Sequence, residues 1–285
     1  MSRRFASCVG HLENGTICGE PVDTFAHPEL GFPIFSRGGR NAYFCPQCAR
    51  RVESYYAENS NWIGTWTSEK ISYSYELEVS YFNQKSNIEL QYNHFLPTHD
   101  STVAREYKSP IYRNCKSVVH YSKTIQSLLD SGDLEIGSSC GTHFHVGQAN
   151  FVNADTMERF YRKDKFYRYL FKPLADVMLE DSSKTRTIFG RDFGTWAQYP
   201  DFQDPENHTN FVNVQHDWTF EWRIVKFSNA DQFSTAAMFC KKLTSTIFQN
   251  FSQYIPDCGN DTVFMLRKAE VAGRKLAKLF NEMEV

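Results

Sequence analysis

Residues Ser138–Gly147 read SSCGTHFHVG, two histidines one residue apart behind a run of small residues. On a strand His143 and His145 face the same side, about 6–7 Å apart, so they share either a site or a surface. The same i, i+2 spacing recurs in YELEV, with Glu76 and Glu78, and in TFEWRIV, with Glu221 and Arg223, while Glu106 stands in the strand-like VAREYKS. If these faces meet, each like-charged pair near 4 Å costs about 4 kcal/mol at an effective dielectric of 20. A divalent cation relieves that cost. Carboxylate oxygens suit Mg²⁺ or Mn²⁺, and an imidazole among them leans slightly toward manganese or a tolerant magnesium site. The competing reading leaves the same groups as solvent-facing charges on separate strands.

A second set of ligating residues lies near the start. Cys8 and Cys18, then Cys45 and Cys48, form Cys-x9-Cys and Cys-x2-Cys, whereas Cys115, Cys140, Cys240 and Cys258 are scattered. Four thiolates suit the closed tetrahedral coordination of structural Zn²⁺. The alternative is two unrelated pairs of buried thiols; a redox role for the CPQC pair lacks the surrounding βαβ pattern. The expectation is a zinc-binding, zinc-ribbon-like module over residues 1–60, whose metal supplies on the order of 10 kcal/mol of folding free energy. Ser138 and Cys140 invite a nucleophile reading with His143 as base, but each is an odd number of residues from His143 and faces the other way on an extended strand.

The elements that must position these groups follow from periodicity. ISYSYELEVSYF alternates as a strand, and SNIELQYNHF reads as its continuation or partner. VAREYKS is a short strand stopped by Pro110, and NCKSVVHYSKTIQSLLDSG has helical spacing with Gly132 as its stop. CGTHFHVGQANF is a further strand. NADTMERFYRKDKFYRYLFKPLADVMLE reads as one long amphipathic helix, capped by Asn153 or Asp155 and with a kink expected at Pro173. NHTNFVNVQHDWTFEWRIVKF reads as two strands around Asp217, and two helices occupy the last sixty residues. The sum is an α+β domain over 70–285 with a mainly antiparallel sheet.

At 285 residues and 41% hydrophobic content, the chain can bury a large core. A net charge of −2, without long Lys/Arg runs, disfavours broad nucleic-acid binding. No apolar run of about 20 residues and no leader-like start are visible, so a soluble cytoplasmic protein without a membrane partner is expected. P-loop and Rossmann glycine motifs are absent, and the DFG of RDFGT lacks the other kinase motifs and is a chance match.

The ordered set YELEVSYF, HDSTVAREYKSP, SSCGTHFHVG and WTFEWRIVKF resembles the amidoligases of the glutamine-synthetase-like carboxylate-amine ligase superfamily, widespread in phages and bacteria. The resemblance spans roughly residues 70–245. It implies an antiparallel sheet funnel with flanking helices, entered by ATP, with Mg²⁺ or Mn²⁺ between protein and phosphates, in the host cytoplasm if phage-encoded. Glu76, Glu78, Glu106, His143 and Glu221 would ligate metal, Glu106 also belonging to the catalytic set. His145 would lie beside the ATP phosphates, and Arg223 and, on a looser match, Arg191 would stabilise the transferring phosphoryl group. Asp100 would serve a turn. The implied reaction joins an unidentified acid and amine, small molecule, peptide or protein, through an acyl phosphate. The alternatives are a metal-dependent hydrolase using the same His/Glu cluster and a nonenzymatic zinc-containing interaction protein. The four-cysteine module is no part of the ligase core.

Overall fold

The structure, a computed structural model, describes residues 5–8, 18–23, 45, 71–93, 95–98, 102–109, 115–148, 151–152, 154–216, 219–251 and 262–284. They fall in two compact units, one of Met1–Thr65, Glu76–Ile111 and Lys123–Cys140, the other of Trp66–Tyr75, Tyr112–Ser122 and Gly141–Val285. Both mix helices with antiparallel strand pairs.

In the first unit β1 (Phe5–Ser7) and β2 (Pro21–Asp23) form a small antiparallel pair. The second half of β3 (Ser72–Val79) pairs with β6 (Arg105–Lys108), which pairs with β5 (Leu96–Thr98). A second small pair joins β4 (Tyr81–Phe82) to β7 (Leu134–Glu135). Alternation sets the faces: Leu77 and Tyr107 are partners in register and fully buried, while Glu76 faces Lys108 and Glu78 faces Glu106 in the adjoining rows. The part of α2 (Cys115–Asp130) from Lys123 onward belongs to this unit and ends just before Gly132, as its spacing predicted.

SNIELQYNHF is corrected by the structure: Gln84–Tyr92 is a helix, α1, not a strand. Asn83 caps it, accepting from the Ser86 N–H at 3.0 Å while its own N–H donates to Ser86 Oγ at 3.1 Å. The buried positions Ser86 and Leu90 are four apart, the period of a helix. A reciprocal Asn-x-x-Ser cap therefore outweighed the apparent β chemistry of the segment.

The second unit holds the first half of β3 beside β8 (Thr142–Gly147), followed by β10 (Phe220–Trp222) and β9 (Val212–Asn213). β10 is antiparallel to both neighbours, with Trp222 opposite Phe144 and Val212, and Glu221 opposite His145 and Asn213. One face is therefore aromatic and the other polar. α3 (Ala154–Thr156), a π-turn (Met157–Tyr161), α4 (Asp164–Glu180), α5 (Ser182–Phe189), α6 (Ala230–Phe251) and α7 (Thr262–Glu282) supply the helices. The aromatic face packs on them: Phe171 of α4 meets Phe220 and Trp222 at 5.9 and 6.3 Å, and the Trp222 indole donates to Thr244 Oγ1 of α6 at 3.0 Å. Burying these rings is the main drive for the layer.

The single helix expected over 153–180 is broken. Lys163, extended at φ −87° and ψ 126°, separates the π-turn from α4, which then runs through Pro173 without ending. Tyr161 and Phe166 are five residues apart, about 140° around an unbroken helix, so only one could face the core. The break brings their rings to 5.5 Å and sets Tyr161 edge-on to Phe220 at 4.7 Å. Among the described residues no helix is long and apolar enough to cross a membrane.

Candidate metal and anion site

Strand alternation aims His143, His145 and Glu221 away from the aromatic core of the second unit. All three are nonetheless buried, at 4, 7 and 2% exposure. Glu221 is the centre. Its Oε1 accepts from Arg223 Nη1 at 2.7 Å and lies 3.1 Å from His143 Nδ1; its Oε2 accepts from Asn213 Nδ2 at 2.7 Å and lies 2.9 Å from His216 Nε2. Burial alone would push this carboxyl up. The hydrogen bonds with His143 and His216 and the charges of His143 and His145 outweigh it and hold the group well below its ordinary value.

The remaining groups are placed by short contacts. His145 Nδ1 is 3.1 Å from Thr219 Oγ1, and its ring meets that of His216 edge-on at 5.1 Å. Arg162, at the end of the π-turn, donates to the carbonyls of Val214 and Gln215 at 3.0 and 2.5 Å and so fixes the loop that carries His216. Gly141 accounts for the small residue before the histidines. A Cβ there would stand 2.7 Å from His143 Nε2 and 2.8 Å from Arg191 Nη2, so a larger residue would push that imidazole or that guanidinium aside.

His143, His145, Arg191, Glu221 and Arg223, singled out from sequence, therefore meet in one unit. Asn213, Thr219 and His216 complete the group and were missed. β9 and β10 pair 213 with 221, so Asn213 was within reach of sequence reasoning; Asp217 itself lies outside the described residues. His216 carried no such signal, because its approach to Glu221 depends on the loop held by Arg162. Glu221 here has His143, His216 and Arg223 as direct partners and the charge of His145 nearby, an arrangement that favours anions and can also present ligands to an ion. His145, His216 and Glu221 each offer a ligand atom within 4.8 Å of the others.

In the first unit Lys108 forms an ion pair with Glu76 and lies 3.3 Å from Glu106 Oε1, and Glu78 stands opposite Glu106 in the register. Cys140 is fully buried there. Cys8, Cys18 and Cys45 likewise converge, their sulfurs within 4.8 Å of one another, and could hold a metal ion. The Cys45 N–H donates to Cys8 Sγ at 3.1 Å, which ties the two cysteine segments together. Cys48 and Asp100 lie outside the described residues. Comparison of the chain with family models, curated proteins and solved structures gives no match in any of the three.

Proposed function

We propose that the protein is an ATP-dependent carboxylate-amine ligase that works with Mg²⁺ or Mn²⁺. The observation that carries this reading is the convergence of His143, His145 and Arg223 on the buried carboxylate of Glu221, with Arg191 beside His143 at Gly141. These groups come from distant segments, and their positive surplus suits the polyphosphate of a nucleotide. Arg223 and Arg191 would hold and neutralise the transferring phosphoryl group, and His145 would lie beside the phosphates. A bound divalent ion would add charge neutralisation, with Glu221 and His143 as ligands and Glu76, Glu78 and Glu106 as oxygen ligands within their own unit.

In the reaction, a substrate carboxylate oxygen attacks the γ-phosphorus and ADP leaves. The amine nitrogen then attacks the acyl carbon of the acyl phosphate, inorganic phosphate leaves, and the ammonium proton passes to a carboxylate base. The funnel-shaped sheet implied by the resemblance belongs to the same proposal.

Calorimetry tests it. ATP binding that requires Mg²⁺ or Mn²⁺ is expected for the parent protein and is weakened at least tenfold in Arg223→Ala; a parent that binds no nucleotide overturns the ligase. The His145, His216 and Glu221 set also favours a second reading, a metal-dependent hydrolase, since two imidazoles and one carboxylate are a ligand set of catalytic zinc. That enzyme would cleave its substrate without nucleotide.

The cysteine cluster fits Zn²⁺. Two sulfurs about 2.3 Å from a tetrahedral ion stand about 3.8 Å apart, and Cys18 Sγ and Cys45 Sγ are separated by 3.8 Å. We assign it, with Cys48 as the fourth ligand, as a structural, zinc-ribbon-like centre. Metal analysis of purified protein should find zinc that Cys8→Ser loses; full retention by that variant would remove the assignment.

A further inference from the structure

We propose that Glu221 also holds a second ion, a transition metal rather than the nucleotide's Mg²⁺, through Oε2 and the imidazoles of His145 and His216, apart from the Oε1 and His143 side given above to the nucleotide's ion. This rests on the reading of Glu221 as a metal ligand and not on nucleotide binding. The two carboxylate oxygens are differently employed. Oε1 is engaged by Arg223 and His143, and Oε2 turns toward His216 at 2.9 Å. Two ligand atoms each about 2.1 Å from one tetrahedral ion stand about 3.4 Å apart, so this hydrogen-bonded pair need open by only roughly half an ångström to become neighbouring ligands. His145 adds the third ligand within 4.8 Å.

The supports of these ligands are independent of one another. Thr219 holds His145 Nδ1 at 3.1 Å and thereby assigns the ring's other nitrogen to the ion. Asn213 orients Oε2 with a 2.7 Å bond, and Arg162 fixes the carbonyls of Val214 and Gln215 just before His216. Such outer partners set ring orientation in metal centres and hold ligands ready before the ion arrives. Ligand chemistry then sets the ion. Mg²⁺ demands oxygen and keeps its waters, whereas imidazole suits Zn²⁺, Co²⁺, Ni²⁺ or Fe²⁺.

The test is a Co²⁺ titration of the full chain, followed by visible absorption, after one equivalent of Zn²⁺ has filled the cysteine cluster and free metal has been removed. The parent protein is expected to develop d–d bands without thiolate charge transfer, and about a hundredfold excess of Mg²⁺ should not abolish them. His216→Gln keeps a donor for Glu221 Oε2 but loses the imidazole ligand, and its Co²⁺ affinity should fall about 100-fold or more, at least the loss that outer partners alone cause. His216→Ala should match it; because His216 is on a partly exposed loop, neither change empties the core. Parental affinity and spectrum in His216→Gln overturn the proposal, as does a parent that yields no such bands or whose bands Mg²⁺ removes. The ligase is judged separately by Mg²⁺-dependent ATP binding.

Discussion

Glu221→Ala should abolish the metal-dependent part of nucleotide binding while leaving metal-free binding of ATP or inorganic phosphate intact or stronger. The carboxylate is the negative partner of His143, His216 and Arg223, so its removal raises the positive potential that an anion meets. It also takes away the oxygen ligands of the ion. A purely structural Glu221 predicts the opposite pattern, with both kinds of binding declining together as the fold loosens. Calorimetry with and without Mg²⁺ or Mn²⁺ separates the two.

The same substitution has a folding cost. Removing one partner of a buried ion pair typically costs about 3–5 kcal/mol, because the remaining charge is left without compensation. Arg223 is in that position here, with Asn213 and His216 losing their acceptor as well. The pH dependence follows from the lowered value of the Glu221 carboxyl. A group whose value falls on folding contributes its full stability above the ordinary carboxylate range and loses it as the pH drops through the folded value. Denaturant midpoints of the parent should therefore decline below that range, and Glu221→Gln should flatten that part of the profile.

How far the site could be read in advance depended on whether a residue's neighbours were local. Strand alternation assigns His143 and His145 to one face and Phe144 to the other from period alone, and the register bears this out. Antiparallel pairing of β9 with β10 brings Asn213 to Glu221 in the same way. The helix at Gln84–Tyr92 was hidden because its cap competes with β-forming side chains, and the break at Lys163 because it answers to rings on another strand. α5 went unread, although Asp181, which accepts from the Lys184 N–H at 2.9 Å, is an ordinary cap signal. His216 needed the π-turn, Arg162 and the β9–β10 hairpin together. Tertiary placement of that kind has no sequence period.

The segment that delivers Arg191 turns on Gly190, and Gly190→Ala should disable the site and destabilise the second unit together. Gly190 closes α5 at φ 80°, its N–H donating to the Arg186 carbonyl at 2.9 Å. A non-glycine residue in this region costs about 1–2 kcal/mol before any contact is counted. Here the contact is severe, since a Cβ would stand 2.1 Å from the Lys226 carbonyl oxygen. Backbone, not a flexible side chain, must give way, and the Lys226 N–H bond to the Phe189 carbonyl at 2.7 Å resists the shift. Lys226 follows β10 closely, so the displacement reaches the stretch between Arg223 and Arg191. We expect a loss on the order of 3–5 kcal/mol in urea denaturation, in the range reserved for strained backbone and overpacking. The loss of phosphate affinity should remain under conditions where the variant is still folded. Gly194→Ala is the control: an added Cβ meets nothing within 4 Å, and stability should stay within about 0.5 kcal/mol of the parent. If the two variants behave alike, the close approach at Gly190 does not hold Arg191 in the site.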